Sequence, residues 1–493
     1  MTTSATSNEA INRVRLGTII KSARDIMRKD AGLNGDLDRL PLLSWLLFLR
    51  AFDAMEADRE IIEADAFRPA MSSTYQWRTW AANEDFTGKA FIDFVNEELL
   101  PYLADLKSDT PGDPRNVLGQ VFKGIQNRMA SGYLFRDLVN QIQKIDFTSS
   151  DDIHTMAYLY ESLLKEMRDA AGDSGEFYTP RPVIRFMVEQ SFLERGESIL
   201  DPACGTGGFL VEALDELTRG QDIGIAQERL LWRNLRGVEK KPLPYLLCMM
   251  NLILHGVAEP QIVHDNALIR MINEVGPSSK VNVVVTNPPF GGEEENSVAS
   301  RFGKGYQTRE TAILYVKAVI DKLKPNGRCA IVLPNGFLFD DRSRRVREDL
   351  LLKCNLHTII RLPQGVFAPY TQIPVNILFF ERSGPTKEVW YHQIDPPEGR
   401  KGYAKTRPMR YEEFAGCAAW WGGKDRAVRA ETDKAWRVPA ADIAADNYNL
   451  DLTHPAPPDD LAHRPPAELL GDLIAAEQEI LSLLTSLQHD LWG

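Results

Sequence analysis

The sequence predicts an α/β protein built on an open, mostly parallel sheet, with a helical domain before it and a helical tail after it. Two observations carry that reading. From about residue 150, short β-runs alternate with helical stretches, the pattern of strands joined by crossover helices. The first of those β-runs runs into a glycine-rich turn that opens a helix, at the edge where such sheets hold ligands.

Residues 1–150 read as the helical domain. Val117-Leu118-Gly119-Gln120-Val121-Phe122 and Leu138-Val139-Asn140-Gln141-Ile142 set apolar residues at helical spacing between Asp, Asn and Gly breaks. The run Leu42-Leu43-Ser44-Trp45-Leu46-Leu47-Phe48-Leu49 is apolar, but Arg50 stops it well short of the roughly 20 residues that span a bilayer. It is expected as a buried helix, and no membrane association is expected. The opening residues, Met1 to Arg15, lack the apolar stretch of a signal peptide.

Residues 151–450 carry the sheet. Strands are expected over 198–200, 235–238, 281–285, 329–333 and 376–380, and helices over 209–217, 244–254 and 310–323. Pro325-Asn326-Gly327 predicts a turn before the fourth strand. Residues 451–493 form a tail. His454-Pro455-Ala456-Pro457-Pro458 and His463-Arg464-Pro465-Pro466 bracket a linker. Beyond it Leu470, Leu473, Ile480, Leu484, Leu487 and Leu491 repeat every three or four residues, interrupted by Glu477. Such a stripe packs on a partner helix or folds back on its own body.

With 493 residues, 44% hydrophobic and 26% charged, the chain has an ordinary globular composition. Its five cysteines, Cys204, Cys248, Cys329, Cys354 and Cys417, are widely spaced with no CxxC pair. That excludes a disulfide framework and a zinc site, so no metal is expected and a reducing cytoplasm fits. The formal net charge of −12 matters for partners. Phosphate neutralisation supplies most nucleic-acid affinity, so an acidic chain that acts on DNA is expected to share the grip with another subunit.

Four elements carry chemistry. Asp201-Pro202-Ala203-Cys204-Gly205-Thr206-Gly207-Gly208-Phe209 follows a strand and opens a helix. It is neither GxGxxG nor a P-loop; an acid at a strand end with glycines for close backbone approach suits a zwitterionic ligand. Glu239 ends the next strand, where an acid can accept from two ribose hydroxyls, although a Glu there is often merely solvated. After the next β-run come Asp265 and Asn266, either of which can meet an adenine ring. The fourth element decides the reading: Asn287-Pro288-Pro289-Phe290 directly follows an apolar strand. Two prolines make a rigid loop poor in donors. The Asn287 side-chain oxygen and the Pro288 carbonyl can each accept a hydrogen of an exocyclic amino group, and Phe290 can stack on an extruded base.

In this order the motifs resemble those of amino-group DNA methyltransferases, and NPPF resembles that of the N6-adenine group. Gly175-Glu176-Phe177-Tyr178-Thr179-Pro180-Arg181 is similar to the element that precedes the glycine motif in that family and lies against the cofactor's methionine part. Leu333-Pro334-Asn335-Gly336-Phe337-Leu338-Phe339 and Leu362-Pro363-Gln364-Gly365-Val366-Phe367 look like its later blocks. The combination, across essentially the whole chain, resembles the methylating subunit of Type I restriction–modification systems.

The resemblance implies a Rossmann-like S-adenosylmethionine-dependent methyltransferase sheet and S-adenosyl-L-methionine as cofactor. It implies Asn287, Pro288, Pro289 and Phe290 as the catalytic set. Cofactor contacts are expected from Glu176, Phe177, Tyr178, Thr179, Pro180 and Arg181; from Asp201, Pro202, Ala203, Gly205, Thr206, Gly207, Gly208 and Phe209; and from Glu239, Asp265 and Asn266. Implied partners are DNA, a specificity subunit carrying two copies of this chain, and a motor–nuclease restriction subunit. Cys204 departs from the family's more usual Ala and is read as a small apolar side chain, not a nucleophile. Two rivals remain: an enzyme methylating RNA or a protein amide, which needs the same acceptors, and a non-catalytic cofactor-binding scaffold, which has no use for the NPPF loop.

Overall fold

The computed structural model describes residues 2–110, 113–147, 160, 179–220, 224–257, 259–274, 276–303, 305–306, 308–368, 371–397, 399–400, 402–404, 406–455 and 477. The expected boundary at 150, Glu176, Phe177 and Tyr178, and the apolar seam of the tail lie outside the described residues.

The N-terminal region is helical, as its spacing predicts. Helices α1 (Thr2–Arg28), α2 (Asp36–Glu63), α3 (Pro114–Phe122) and α4 (Gly132–Gln143) are its main pieces. Local chemistry starts α3 and α4. The Asp113 carboxylate accepts from Arg115 N at 2.9 Å with Pro114 in the first turn, and Ser131 Oγ accepts from Leu134 N at 3.3 Å. The apolar run from Leu42 to Leu49 lies inside α2, buried on every side. No helix among the described residues is long and apolar enough to cross a membrane.

The second region alternates strands and helices. In chain order it contains α5 (Arg181–Glu189), β1 (Ile199–Asp201), α6 (Gly208–Thr218), β2 (Leu235–Glu239), α7 (Pro242–Leu254), β3 (Gln261–His264), α8 (Ala267–Asn273) and β4 (Val281–Thr286). There follow α9 (Thr311–Lys322), β5 (Leu323–Pro334), α10 (Arg344–Lys353), β6 (Asn355–Arg361), β7 (Val375–Glu381), β8 (Glu388–Gln393) and β9 (Ala435–Pro439). They form one sheet in the order β3-β2-β1-β4-β5-β7-β6-β8-β9. Neighbours from β3 to β5 run parallel; β7 is antiparallel to both β5 and β6, and β9 to β8. All five expected strands are present.

The expected turn before the fourth strand is placed differently. Pro325-Asn326-Gly327 lies within β5, which begins at Leu323. Leu323 pairs with Val281 and Arg328 with Val283, so the intervening residues loop out opposite Asn282 as a bulge. Asn326 supplies the left-handed backbone, with φ of 59°, and its N–H donates to the Arg382 carbonyl at 3.0 Å. The turn chemistry is real, but the ladder resumes across it.

The sheet is covered on both faces, which is why its inner strands are continuous apolar runs. Successive residues alternate between two cores. Val283, Val285, Ala330, Val332, Ile377 and Phe379 face α5, α6, α7 and the N-terminal helices. Val284, Cys329, Ile331, Leu333, Leu378 and Phe380 face α9 and α10. The N-terminal helices also meet the sheet region through a polar contact, Tyr245 OH to Gln120 Oε1 at 3.1 Å.

Candidate active site

The site is built at the carboxyl ends of β1, β2 and β4. β1 ends at Asp201, 1% exposed, whose Oδ1 accepts from Ala203 N at 3.1 Å. Burial pushes its carboxyl up to about 7; the Thr286 hydroxyl and the Ala203 amide pull the other way, and the nearby Glu239 charge adds to the rise. The chain then turns through Gly205 and Gly207, with φ of 52° and 83°. A side chain at Gly207 would also place its Cβ 2.9 Å from Cys248 Sγ, so α7 approaches as closely as only glycine permits. Asn251 on α7, fully buried, donates from Nδ2 to the Thr206 carbonyl at 2.9 Å. Cys204 is buried with its sulfur 3.8 Å from that of Cys248. The contact with Cys248 and burial raise its pKa, so it is a packed thiol and no nucleophile.

Glu239, at the end of β2, braces this turn. Its Oε2 accepts from Gly205 N at 3.0 Å and its Oε1 from Lys241 N at 2.8 Å. Burial raises its pKa against those amide bonds. The Lys240 amide is a third backbone donor to the same carboxylate.

Asp265 and Asn266 separate cleanly. Asn266 caps α8: its Oδ1 accepts from Leu268 N at 3.0 Å, while its Nδ2 donates to Glu294 Oε2 at 3.1 Å. Asp265 is exposed, and one of its oxygens accepts from Asn266 N at 2.7 Å.

The NPPF loop leaves β4. Asn287 Nδ2 donates to Thr179 Oγ1 at 3.0 Å. Asn287 Oδ1 is buried and finds no hydrogen-bond partner among the described residues. Pro288 is buried, and Phe290, half-buried, packs against Phe367 with ring centroids 6.4 Å apart at 60°. Gly292 anchors the far end, its carbonyl accepting from the Thr311 amide and hydroxyl at 2.9 and 2.8 Å.

Thr179-Pro180-Arg181 ties the two motifs together. Thr179 holds Asn287, Pro180 opens α5, and Arg181 Nη1 donates to the Gly208 carbonyl at 3.3 Å. Two expected cofactor residues serve the scaffold here: Phe209 is 3% exposed in the core, and the Pro202 carbonyl accepts from Tyr315 OH at 3.3 Å. Asn251 and Glu294 were not among the expected site residues. Asn251 had a signal, being the one amide side chain in a helix, α7, otherwise made of apolar and aromatic residues. Glu294 had none.

Comparison with known proteins agrees with this geometry. Residues 151–463 match the family model described as N-6 DNA Methylase. The chain is 45% identical over 482 residues to the Type I restriction enzyme EcoEI methylase subunit of Escherichia coli, covering 97% of both chains. A crystal structure from Vibrio vulnificus YJ016, described as a modification subunit of a type I restriction enzyme, superimposes with a TM-score of 0.81 at 49% identity, over 92% of this chain and 99% of that one. A chain solved in work on complex assembly of the type I R-M system gives 0.80 at 37% identity, over 97% and 98%. Sheet, glycine turn, NPPF loop and these likenesses agree: the chain belongs to the N-6 DNA methylase family and, within it, with the methylase subunits of Type I restriction enzymes.

Proposed function

We propose that this chain transfers the methyl group of S-adenosyl-L-methionine to adenine N6 in DNA, as the modification subunit of a Type I assembly. The observation that carries the catalytic part is Asn287: a buried side-chain oxygen with no partner among the described residues, at the mouth of a Pro-Pro loop. A buried acceptor left unmade costs about 1–3 kcal/mol, which a fold tolerates where a substrate hydrogen completes it.

The cofactor's side of the site fits too. Gly205 and Gly207 give a tight backbone turn at the end of β1, the Glu239 carboxylate lies against that turn where ribose hydroxyls would meet it, and Asp265 is the exposed acid open to an adenine ring. Asn266 is taken up by its helix cap, so the adenine contact falls to Asp265. When bound, S-adenosyl-L-methionine supplies an electrophilic sulfonium methyl.

The protein's own part is placement. Phe290, backed by Phe367, offers a face for a base leaving the helix, a step costing a few kcal/mol. Asn287 Oδ1 and the Pro288 carbonyl accept the two N6 hydrogens and stabilise the positive charge that grows on nitrogen. Thr179 fixes which way the amide points. No residue need be modified covalently. A specificity subunit carrying two copies of this chain, and a motor–nuclease subunit joining them in the cytoplasm, complete the proposal; it rests on likeness to methylase subunits and on the net charge of −12.

The test is N6-methyladenine mapping by long-read sequencing in a host co-expressing this chain with its specificity subunit. Wild type is expected to methylate a bipartite motif. Asn287→Ala is expected to lose at least about 100-fold in rate while still binding cofactor. Wild-type turnover in that variant would remove Asn287 from the mechanism, and absence of methyladenine in wild type would redirect the acceptor to RNA or protein.

A further inference from the structure

Two basic stretches stand out in an acidic chain, and the structure separates them. Around α10, Arg342 pairs with Asp340 at 2.6 Å and with Glu310 at 3.3 Å, and Arg345 with Glu348 at 2.7 Å. Arg344 bonds Asn447, and Arg347 is 1% exposed, donating to the Asp340 and Phe337 carbonyls at 2.7 and 3.0 Å. In that stretch Arg342 and Arg345 are paired with carboxylates, and Arg344 and Arg347 are engaged by an amide and by backbone carbonyls.

The second stretch differs in its described cations. Residues 399–411 contain five cations, Arg400, Lys401, Lys405, Arg407 and Arg410, and no acid. Lys401 and Lys405 lie outside the described residues. Arg400 and Arg407 are exposed, and among the described residues neither forms an ion pair. A tight turn shapes the segment, with Arg407 N donating to the Ala404 carbonyl at 2.9 Å. Tyr403 and Met409, 5% and 4% exposed, root it in the core.

The same segment is stitched to residues 362–367, which pack against the NPPF loop through Phe367. Tyr403 N donates to the Gln364 carbonyl at 3.0 Å. A Cβ on Gly365 would stand 2.2 Å from the Tyr403 carbonyl oxygen, and one on Gly402 2.7 Å from that of Gln364, so the two backbones touch where glycines allow it. Phe367, two residues on from Gly365, carries Phe290. Exposed guanidinium groups, without an ion pair among the described residues, thus lie on a segment whose backbone touches the one that bears Phe367, the neighbour of the ring proposed to receive the base.

We infer that Arg400 and Arg407 grip backbone phosphates of the DNA flanking the adenine to be methylated, an inference that rests on the proposed DNA reaction. The site needs such a grip, since extruding a base pulls its flanking phosphates towards the protein, and the chain's net charge repels the duplex elsewhere. Guanidinium forks suit phosphate oxygens and carry no sequence information, which leaves readout to the specificity subunit.

The experiment uses the complex with its specificity subunit and a labelled duplex bearing the methylated motif, titrated across a NaCl series. Arg400→Ala with Arg407→Ala is expected to lower the magnitude of the slope of log Kobs against log[salt] by about 2, since each phosphate no longer neutralised removes about 0.9. KM for DNA rises and KM for S-adenosyl-L-methionine stays. The Arg400→Lys, Arg407→Lys pair keeps the wild-type slope, because neutralising a phosphate needs only the charge. Arg345→Ala, from the stretch around α10, also keeps it. An Ala pair with wild-type slope and KM, in a complex that still methylates DNA, overturns this inference alone. A wild-type complex that makes no N6-methyladenine overturns the proposed reaction and the inference with it.

Discussion

At the scale of single residues, Asn287 has one amide with two ends doing different things. Its nitrogen is fixed by Thr179, and its buried oxygen has no partner among the described residues, the acceptor that the proposed reaction uses. Thr179→Val keeps the shape and removes the anchor. We expect kcat to fall by about tenfold, the worth of one hydrogen bond, with KM for S-adenosyl-L-methionine unchanged. An equal rise in that KM would mean Thr179 serves the cofactor instead. Asp201 is the other residue under tension. With its carboxyl at about 7 in the fold and near 4 when unfolded, the folded state holds an extra proton between those values. Unfolding therefore releases a proton there, and stability falls as pH climbs from about 4 to about 7, then levels. Asp201→Asn is neutral throughout, so its stability relative to wild type should rise by up to about 2 kcal/mol between pH 5 and pH 7 in urea titrations. Parallel profiles for the two proteins would show that the carboxyl stays ionised across the range. Above pH 7 a buried carboxylate lacks a counter-charge, which a cationic ligand at the glycine turn would supply.

At the scale of elements, the parts with unusual local chemistry were legible. The glycine turn, the NPPF loop and the doubly buried strands β1, β2, β4, β5 and β7 stand out because both faces or the backbone itself restrict residue choice. β6, β8 and β9 do not. β6 is interrupted by His357 and Thr358 at a register shift, and β9 is a short edge strand ending in Pro439. The choice between Asp265 and Asn266 was illegible for a different reason: both are good cap residues and both are polar, so only the helix start at Ala267 decides which one caps. The two variants should part accordingly. Asn266→Ala loses the cap of α8 and about 1 kcal/mol of stability. Asp265→Ala leaves stability within about 0.5 kcal/mol, as an exposed substitution does, and raises KM for S-adenosyl-L-methionine. Calorimetry and steady-state kinetics on the pair check this, and the reverse pattern would return the adenine contact to Asn266.

At the scale of the whole molecule, the sequence divides the chain near residue 150, yet the packing does not stop there. Leu46 and Phe48 of α2, Leu138 of α4, Leu246 and Met250 of α7 and Val285 of β4 belong to one continuous buried cluster. Separate domains keep separate cores joined by a smaller, more polar interface. Here the apolar helix α7 has one side on the sheet and glycine turn and another against the N-terminal helices, with Tyr245 reaching Gln120 across the join. Cofactor loop and helical region therefore rest on the same support. We expect residues 2–455 to unfold in a single calorimetric transition with equal calorimetric and van't Hoff enthalpies. We also expect S-adenosyl-L-methionine to shift the whole transition upwards, since a ligand bound only to the folded state stabilises everything that unfolds with its site. Two resolved transitions, of which the ligand moves only one, would mean the N-terminal helices form an independent domain merely resting on α7. Their role would then be confined to binding other subunits, whereas a single shifted transition makes them part of the structure that shapes the glycine turn.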